Sequence, residues 1–325
     1  MKTTILLTFI AAAAIQAGVL TQKLQYPVTK KSDVVDEYHG TKVPDPYRWL
    51  EDLDSKETVE WVAEQNQLTE SYLSQQPIRE HLRRRIQRLW NFKKTNLPVI
   101  EDGRLFYRMN SGLQLQSPLY MRESLEAPAT QIIDPNLIWP DATTSLATFA
   151  PSPDTRLLAY TFAKGGADWQ TIKVKRLTTG QDLDDELQWM RFSGLSWTHD
   201  NKGFFYSRYP EPPKGRVLEA ALSGHALYYH AVGTPQSKDR LIYTNKANPT
   251  WFVTGGVTED GRYLLIATAK GSDNNNRLYY VDLVDRTPGN VTILERTVNG
   301  QPGLVAEQDG VIITVFAFIL AGVPN

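Results

Sequence analysis

Residues Phe192 to Tyr206 read FSGLSWTHDNKGFFY: an apolar run, an acidic turn with a small residue, then a second run ending in aromatics. An aspartate between two strand-like runs is hairpin chemistry, because Asp, Asn and Gly accept the backbone a tight turn demands. The pattern returns as LPVIEDGRLFYRM at 97–109, FAPSPDTRLLAYTFA at 149–163, VTEDGRYLLIATA at 257–269 and, more weakly, LVAEQDGVIITVFA at 304–317. Anchored on Asp102, Asp154, Asp200, Asp260 and Asp309, the five copies are 52, 46, 60 and 49 residues apart. That is the period of a solenoid or a propeller.

The first four copies each carry a third strand-like segment, near Tyr120, Ile172, Tyr228 and Tyr279, which lies 18, 18, 28 and 19 residues beyond the aspartate. The longer interval falls where YPEPPKGRVLEAALSG, 209–224, lengthens one loop. A hairpin followed by a third and a fourth short strand is the make-up of a propeller blade. A non-repetitive β-sandwich with ordinary Asp-Gly hairpins is the alternative, but it gives no reason for aspartates spaced by one blade length. The fold expected is therefore mainly β, a partial propeller of about four to five blades preceded by a two-helix extension.

Composition is that of a globular protein, with 35 basic against 36 acidic side chains and a net charge of −1. So even a balance offers no field to hold a nucleic-acid backbone or an anionic membrane. The basic run Arg83–Arg85 sits in a helical pattern and reads as a solvated face. The chain has no cysteine, which removes thiol catalysis, thiolate metal sites and disulfides together. At the start, one Lys precedes the apolar run Ile5 to Ile15, and small residues follow. This has the shape of a signal peptide over 1–17, cut after Ala17 or Ala14, and points to a secreted or periplasmic protein; an N-terminal anchor helix is the alternative.

Residues 18–90 read as a separate helical extension and 91–325 as an incomplete propeller. Pro44 and Pro46 stretch the backbone before them. Ser55 is a candidate N-cap for a helix over Lys56 to Leu73, which Pro77 stops, and a second helix runs from Ile78 to Leu89 with Ile78, Leu82, Ile86 and Leu89 on one face. Two such helices have no place in a propeller and call for another packing partner. The last fifteen residues, VIITVFAFILAGVPN, begin like the second strand of a fifth copy, and a truncated longer protein is the expected source.

YHGTKVPDPYRWLED at 38–52, GLQLQSPLYMRESL at 112–125, DPNL at 134–137, GADWQTIKV at 166–174, MRFSGLSWTHDNKGFFYSRYP at 190–210 and NRLYYVDL at 276–283 together resemble the N-terminal part of the prolyl oligopeptidase family, from Tyr26 to about Phe316. The resemblance implies a helical extension wrapped onto a C-terminal α/β-hydrolase domain, with a seven-bladed propeller between them. It also implies a serine peptidase that cuts short peptides after proline with a Ser-Asp-His triad.

The triad's nucleophile needs a G-x-S-x-G turn, and none is present; Gly194-Leu195-Ser196 continues as Trp197-Thr198. None of the five histidines reads as a base, and His225 and His230, five apart, fall on opposite faces of a strand. No catalytic residue, metal or cofactor is therefore assigned. By matching to the family's substrate-contacting positions, the resemblance implies peptide binding at Phe192, Phe252 and Ser272. The residue types at Phe252 and Ser272 depart from the family's, and Ala269 stands where an arginine would grip the peptide backbone. Asp168 and Trp169 read as turn and core residues.

The function expected is the N-terminal and propeller portion of a prolyl oligopeptidase-like serine endopeptidase. Its partners would be proline-containing oligopeptides and the missing C-terminal hydrolase domain, with no nucleic acid and no membrane. The alternatives are a non-catalytic propeller module binding peptides or proteins through free sheet edges, an inactive truncated product, and a decoy that pairs with a separate hydrolase chain.

Overall fold

A computed structural model describes residues 24–140, 142–213, 222–271, 273, 276–284, 291–294, 307–308 and 311–312. Contacts divide the chain into two compact units that part between Trp90 and Asn91.

In the first unit, β1 (Val35–Tyr38) and β2 (Thr41–Pro44) form a hairpin, turned by His39 and Gly40 at φ 51° and 81°. Helix α1 spans Lys56–Ser74, and Ser55 caps it by accepting the Thr58 amide at 3.2 Å. Helix α2 spans Pro77–Trp90; Pro77 thus opens the second helix, since a first-turn residue needs no amide to donate. Trp49 and Trp61 meet edge to face at 6.4 Å, and the Thr58 hydroxyl donates to the Trp49 carbonyl at 3.1 Å. Along α2, Ile78, Leu82, Ile86 and Leu89 are all exposed.

The second unit is a row of antiparallel sheets. The first blade holds β4 (Val99–Glu101), β5 (Arg104–Asn110), β6 (Leu119–Arg122) and β7 (Thr130–Ile133), with β3 (Lys94–Thr95) also paired to β5. Next comes a seven-stranded sheet of β8 (Thr144–Pro151), β9 (Leu157–Lys164), β10 (Gln170–Arg176), β11 (Gln181–Trp197), β12 (Gly203–Arg208), β13 (Ala226–Ala231) and β14 (Arg240–Thr244). It is two blades sharing one strand: residues 181–187 of β11 pair with β10, and Leu195–Trp197 pair with β12. A fourth blade holds β15 (Phe252–Val257), β16 (Tyr263–Ala269), β17 (Asn276–Asp282) and β18 (Val291–Leu294). The last described hairpin, β19 (Glu307–Gln308) with β20 (Val311–Ile312), brackets the fifth aspartate. Among the described residues the architecture is thus four blades and the opening hairpin of a fifth.

The repeating aspartates explain the hairpins. In 152–157, 198–203 and 258–263 the leading Ser or Thr amide donates to the carbonyl five residues on, at 2.9, 2.9 and 2.8 Å. The Ser or Thr hydroxyl donates to the aspartate two residues on, at 2.7, 2.7 and 2.5 Å. That carboxylate also accepts the amide of Arg156, Lys202 or Arg262, at 3.1, 3.1 and 3.0 Å. The residue between takes left-handed backbone each time: Thr155 at φ 52°, Asn201 at 59° and Gly261 at 73°. Asp102-Gly103 is a shorter two-residue turn between Glu101 and Arg104, with both φ angles positive.

Each core lies between two consecutive blades. Phe106, Leu119 and Ile133 of the first pack on Leu146, Leu158 and Tyr160 of the second. Ile172, Val174 and Leu187 of the second meet Trp197, Phe204 and Tyr206 of the third. Phe205 and Leu227 of the third meet Val253, Leu264, Ile266 and Tyr279 of the fourth. Successive strand residues point to opposite faces, so Phe204 and Tyr206 serve one neighbour and Phe205 the other. A strand buried on both faces reads as a continuous apolar run, and GFFY is that run. Side chains also bridge the seams: Trp197 Nε1 donates to the Ala150 carbonyl at 2.9 Å, Asp154 N to Asn201 Oδ1 at 3.0 Å, and Val257 N to Ser196 Oγ at 2.8 Å.

Candidate functional site

Where β11 passes from one blade to the next, its backbone is irregular. The pairing register with β12 shifts between Met190 and Leu195, and Trp189 and Phe192 take φ angles of 67° and 53°. Non-glycine residues in this region cost about 1–2 kcal/mol each. The bulge turns Phe192 outward, where it is 44% exposed. The Ser207 amide donates to Ser193 Oγ at 2.7 Å and holds the far side of the bulge.

Phe192 meets Phe252, the first residue of β15 in the next blade, with ring centres 5.2 Å apart and planes at 64°. Two of the three residues assigned to peptide binding from the sequence are therefore in contact, although 60 positions separate them. Ala269 pairs directly opposite Phe252 on β16 and presents a methyl group there. Ser272 lies outside the described residues.

Around this pair runs a ring of π systems that the sequence did not announce. The Arg191 guanidinium lies over the Phe192 ring at 4.7 Å and over the Trp169 ring at 5.2 Å, and ion-pairs with Asp168. Asp168 and Trp169, read from the sequence as turn and core residues, thus clasp a cation beside the aromatic pair. Trp169 meets Tyr209 edge to face at 5.8 Å, Tyr209 lies along His225 at 4.5 Å, and His225 meets Phe252 edge to face at 6.0 Å. His225 is 2% exposed, with Nε2 at 3.0 Å from the Arg191 carbonyl and Nδ1 at 2.9 Å from the Val253 amide. Burial pushes its pKa down to about 4, outweighing the opposing hydrogen bond to Arg191.

His230, at the other end of β13, has the opposite chemistry. Its ring nitrogens lie 2.6 Å from Asp239 and 2.8 Å from Asp185, and all three side chains are wholly buried. Burial by itself lowers the pKa, but the hydrogen bonds the ring donates to Asp185 and then Asp239 prevail and hold it up at about 9. The Gly233 amide also donates to Asp185, at 2.6 Å, and the Tyr206 hydroxyl donates to Asp239, at 2.5 Å. This imidazolium bridge ties β11, β13 and the segment before β14 together. Its hydroxyl, that of Tyr206, is buried and committed to Asp239, and the cluster is closed to substrate. Among the described residues no cluster of His, Asp and Glu is arranged to hold a metal ion.

The family model for the prolyl oligopeptidase N-terminal β-propeller domain matches residues 26–314. The prolyl endopeptidase of Elizabethkingia meningoseptica is 38% identical over 305 residues, covering 93% of this chain and 42% of that protein. Prolyl oligopeptidase A of Amanita bisporigera is 33% identical over 288 residues, covering 79% of this chain and 38% of that protein. A solved structure of prolyl oligopeptidase B from Galerina marginata, bound to a 25mer macrocyclization substrate, superposes with a TM-score of 0.67 at 30% identity, covering 83% of this chain and 41% of that one. The chain therefore spans about two fifths of the length of the relatives it matches.

Proposed function

Because the chain belongs to the prolyl oligopeptidase family, we propose that it forms the N-terminal extension and propeller of a serine endopeptidase that cuts short peptides after proline. On this reading the propeller admits thin, flexible peptides and turns folded proteins away, since a folded domain would first have to unfold at a cost of several kcal/mol. Phe192 and Phe252, and by family resemblance Ser272, contact the peptide. Nucleophile, base and oxyanion hole come from an α/β-hydrolase domain outside these 325 residues, which contain no G-x-S-x-G. The lysine and apolar run at the start of the chain support export to the periplasm or the exterior, tested by the mass of the secreted protein's N-terminus.

The observation that carries the reading is Phe192: an exposed aromatic ring on left-handed backbone, against a second aromatic from the next blade. Strain kept at an exposed position points to binding, since packing there has little to gain from it. The purified chain should release no chromophore from an N-blocked Gly-Pro p-nitroanilide. It should bind an N-blocked Gly-Pro amide, with an affinity that Phe192→Ala lowers about tenfold. Chromophore release, or binding indifferent to Phe192→Ala, would refute the reading.

A further inference from the structure

Both hydrogen-bond partners of His225 are backbone groups with a single role. The Val253 amide can only donate, so Nδ1 must offer a lone pair; the Arg191 carbonyl can only accept, so the proton must sit on Nε2. The two partners are also the immediate chain neighbours of the exposed Phe192 and the half-buried Phe252. The Arg191 carbonyl shares a planar peptide unit with the Phe192 amide, so anchoring it fixes the rotation about the Phe192 N–Cα bond, the angle held at +53°. The Val253 amide shares its plane with the Phe252 carbonyl and fixes the other side of that residue in the same way. Between these bonds the imidazole packs on Tyr209 at 4.5 Å and on the edge of Phe252 at 6.0 Å, and at 2% exposure it has no room to turn.

We propose that His225 is a positioning residue for the peptide wall: as the neutral Nε2–H tautomer, it locks Phe192 of one blade and Phe252 of the next into a single aromatic surface. The role given to the wall rests on the function proposed above, whereas the lock itself can be tested without it.

The test uses the full chain carrying 15N-histidine and 4-fluorophenylalanine, with the two fluorine signals identified by Phe192→Leu and Phe252→Leu. The 15N spectrum should show Nε2 protonated and Nδ1 bare from pH 5 upward. His225→Gln, whose amide can still donate to Arg191, should shift mainly the Phe252 signal. His225→Asn, whose oxygen can still accept from Val253, should shift mainly the Phe192 signal. Either variant should bind the Gly-Pro amide roughly fivefold to tenfold more weakly. Combined with Phe192→Ala, His225→Asn should weaken binding no further than Phe192→Ala alone, because that variant acts through the Phe192 ring, and His225→Gln should likewise add nothing to Phe252→Ala. The opposite tautomer, fluorine signals unmoved in both variants, or losses that simply add would overturn the role of His225. Failure of the unmodified chain to bind the peptide, with the fluorine pattern as expected, would instead overturn the reading of the wall.

Discussion

Two buried histidines that prefer opposite charge states should give this chain a stability that peaks near pH 6.5 and falls on both sides. His225 stays neutral in the folded state down to about pH 4, whereas an unfolded histidine takes up a proton near 6.5. As pH falls from 6.5 to about 4 the unfolded chain therefore binds the extra proton and gains on the folded one. His230 is the reverse case: folded, it keeps its proton up to about pH 9, and the unfolded chain has released its own near 6.5. Its contribution is complete below 6.5 and is lost as pH rises through about 9. Each gap is about 2.5 pH units, worth about 3 kcal/mol at about 1.4 kcal/mol per unit. That is a large part of a typical domain's stability of about 5–15 kcal/mol.

Other groups enter mainly at the edges of this window. Tyr160 and Tyr206 are raised by burial and by their aspartate partners, so they matter only in strong alkali. Asp200 and Asp260 are lowered, Asp200 against its burial through the Thr198 hydroxyl, Asp260 chiefly by the Thr258 hydroxyl, and they matter only in strong acid. Glu101 is raised by burial and works against His225 at the acidic end. The assay is the urea midpoint by tryptophan fluorescence from pH 4.5 to 9.5, on the unmodified chain and on His225→Gln and His230→Gln. Each variant should lower the maximum and flatten one limb, the acid limb for His225 and the alkaline limb for His230. An unmodified chain equally stable at pH 6.5 and 9, or an alkaline limb that survives in His230→Gln, would refute the assigned charge states.

Two backbone predictions accompany it. At Gly203 an added Cβ would stand 2.1 Å from the His230 carbonyl oxygen on the paired strand, which cannot move alone, so Gly203→Ala should lower stability by at least about 2 kcal/mol in urea unfolding. Asp200→Ala removes the acceptor of the Thr198 hydroxyl and the Lys202 amide from a solvent-reached turn, and should cost about 1 kcal/mol in the same measurement without changing its slope.

The blades were legible because their determinants are local. A Ser or Thr, an aspartate two residues on and a left-handed residue after it build the turn from within six positions, and the apolar runs on either side state that both faces are covered. The helices were legible to within a residue at each end for the same reason, with Ser55 as cap and Pro77 as break. The continuous course of β11 through two blades was not, because the bulge at 189–194 carries no glycine where its φ angles turn positive. Phe192 was reached through family resemblance, and its strain could not have been. Arg191 and His225 were missed because their partners lie across blade seams, with His225 34 residues from Arg191 and 28 from Val253. One signal was present: HALYYH sets two histidines around a strand whose other residues are mostly apolar, and a buried imidazole must find partners.

Blade seams are also where this architecture can carry strain. Within one blade, a residue forced into left-handed backbone would break the pairing that defines its strand. Phe192 escapes that conflict because it falls in a gap in the pairing, after Met190, which faces Gln170 of β10 and Arg208 of β12, and before Leu195, where pairing with β12 resumes. The freed backbone groups are taken up by side chains instead: the Ser207 amide by Ser193 Oγ, and the Arg191 carbonyl by His225. His225 in turn reaches Val253, so the place where one sheet loosens is the place where the next is tied in. An exposed aromatic on unfavourable backbone and a buried histidine with a fixed tautomer are then two sides of one arrangement. Relaxing the first by Phe192→Gly should raise stability only while the second remains intact.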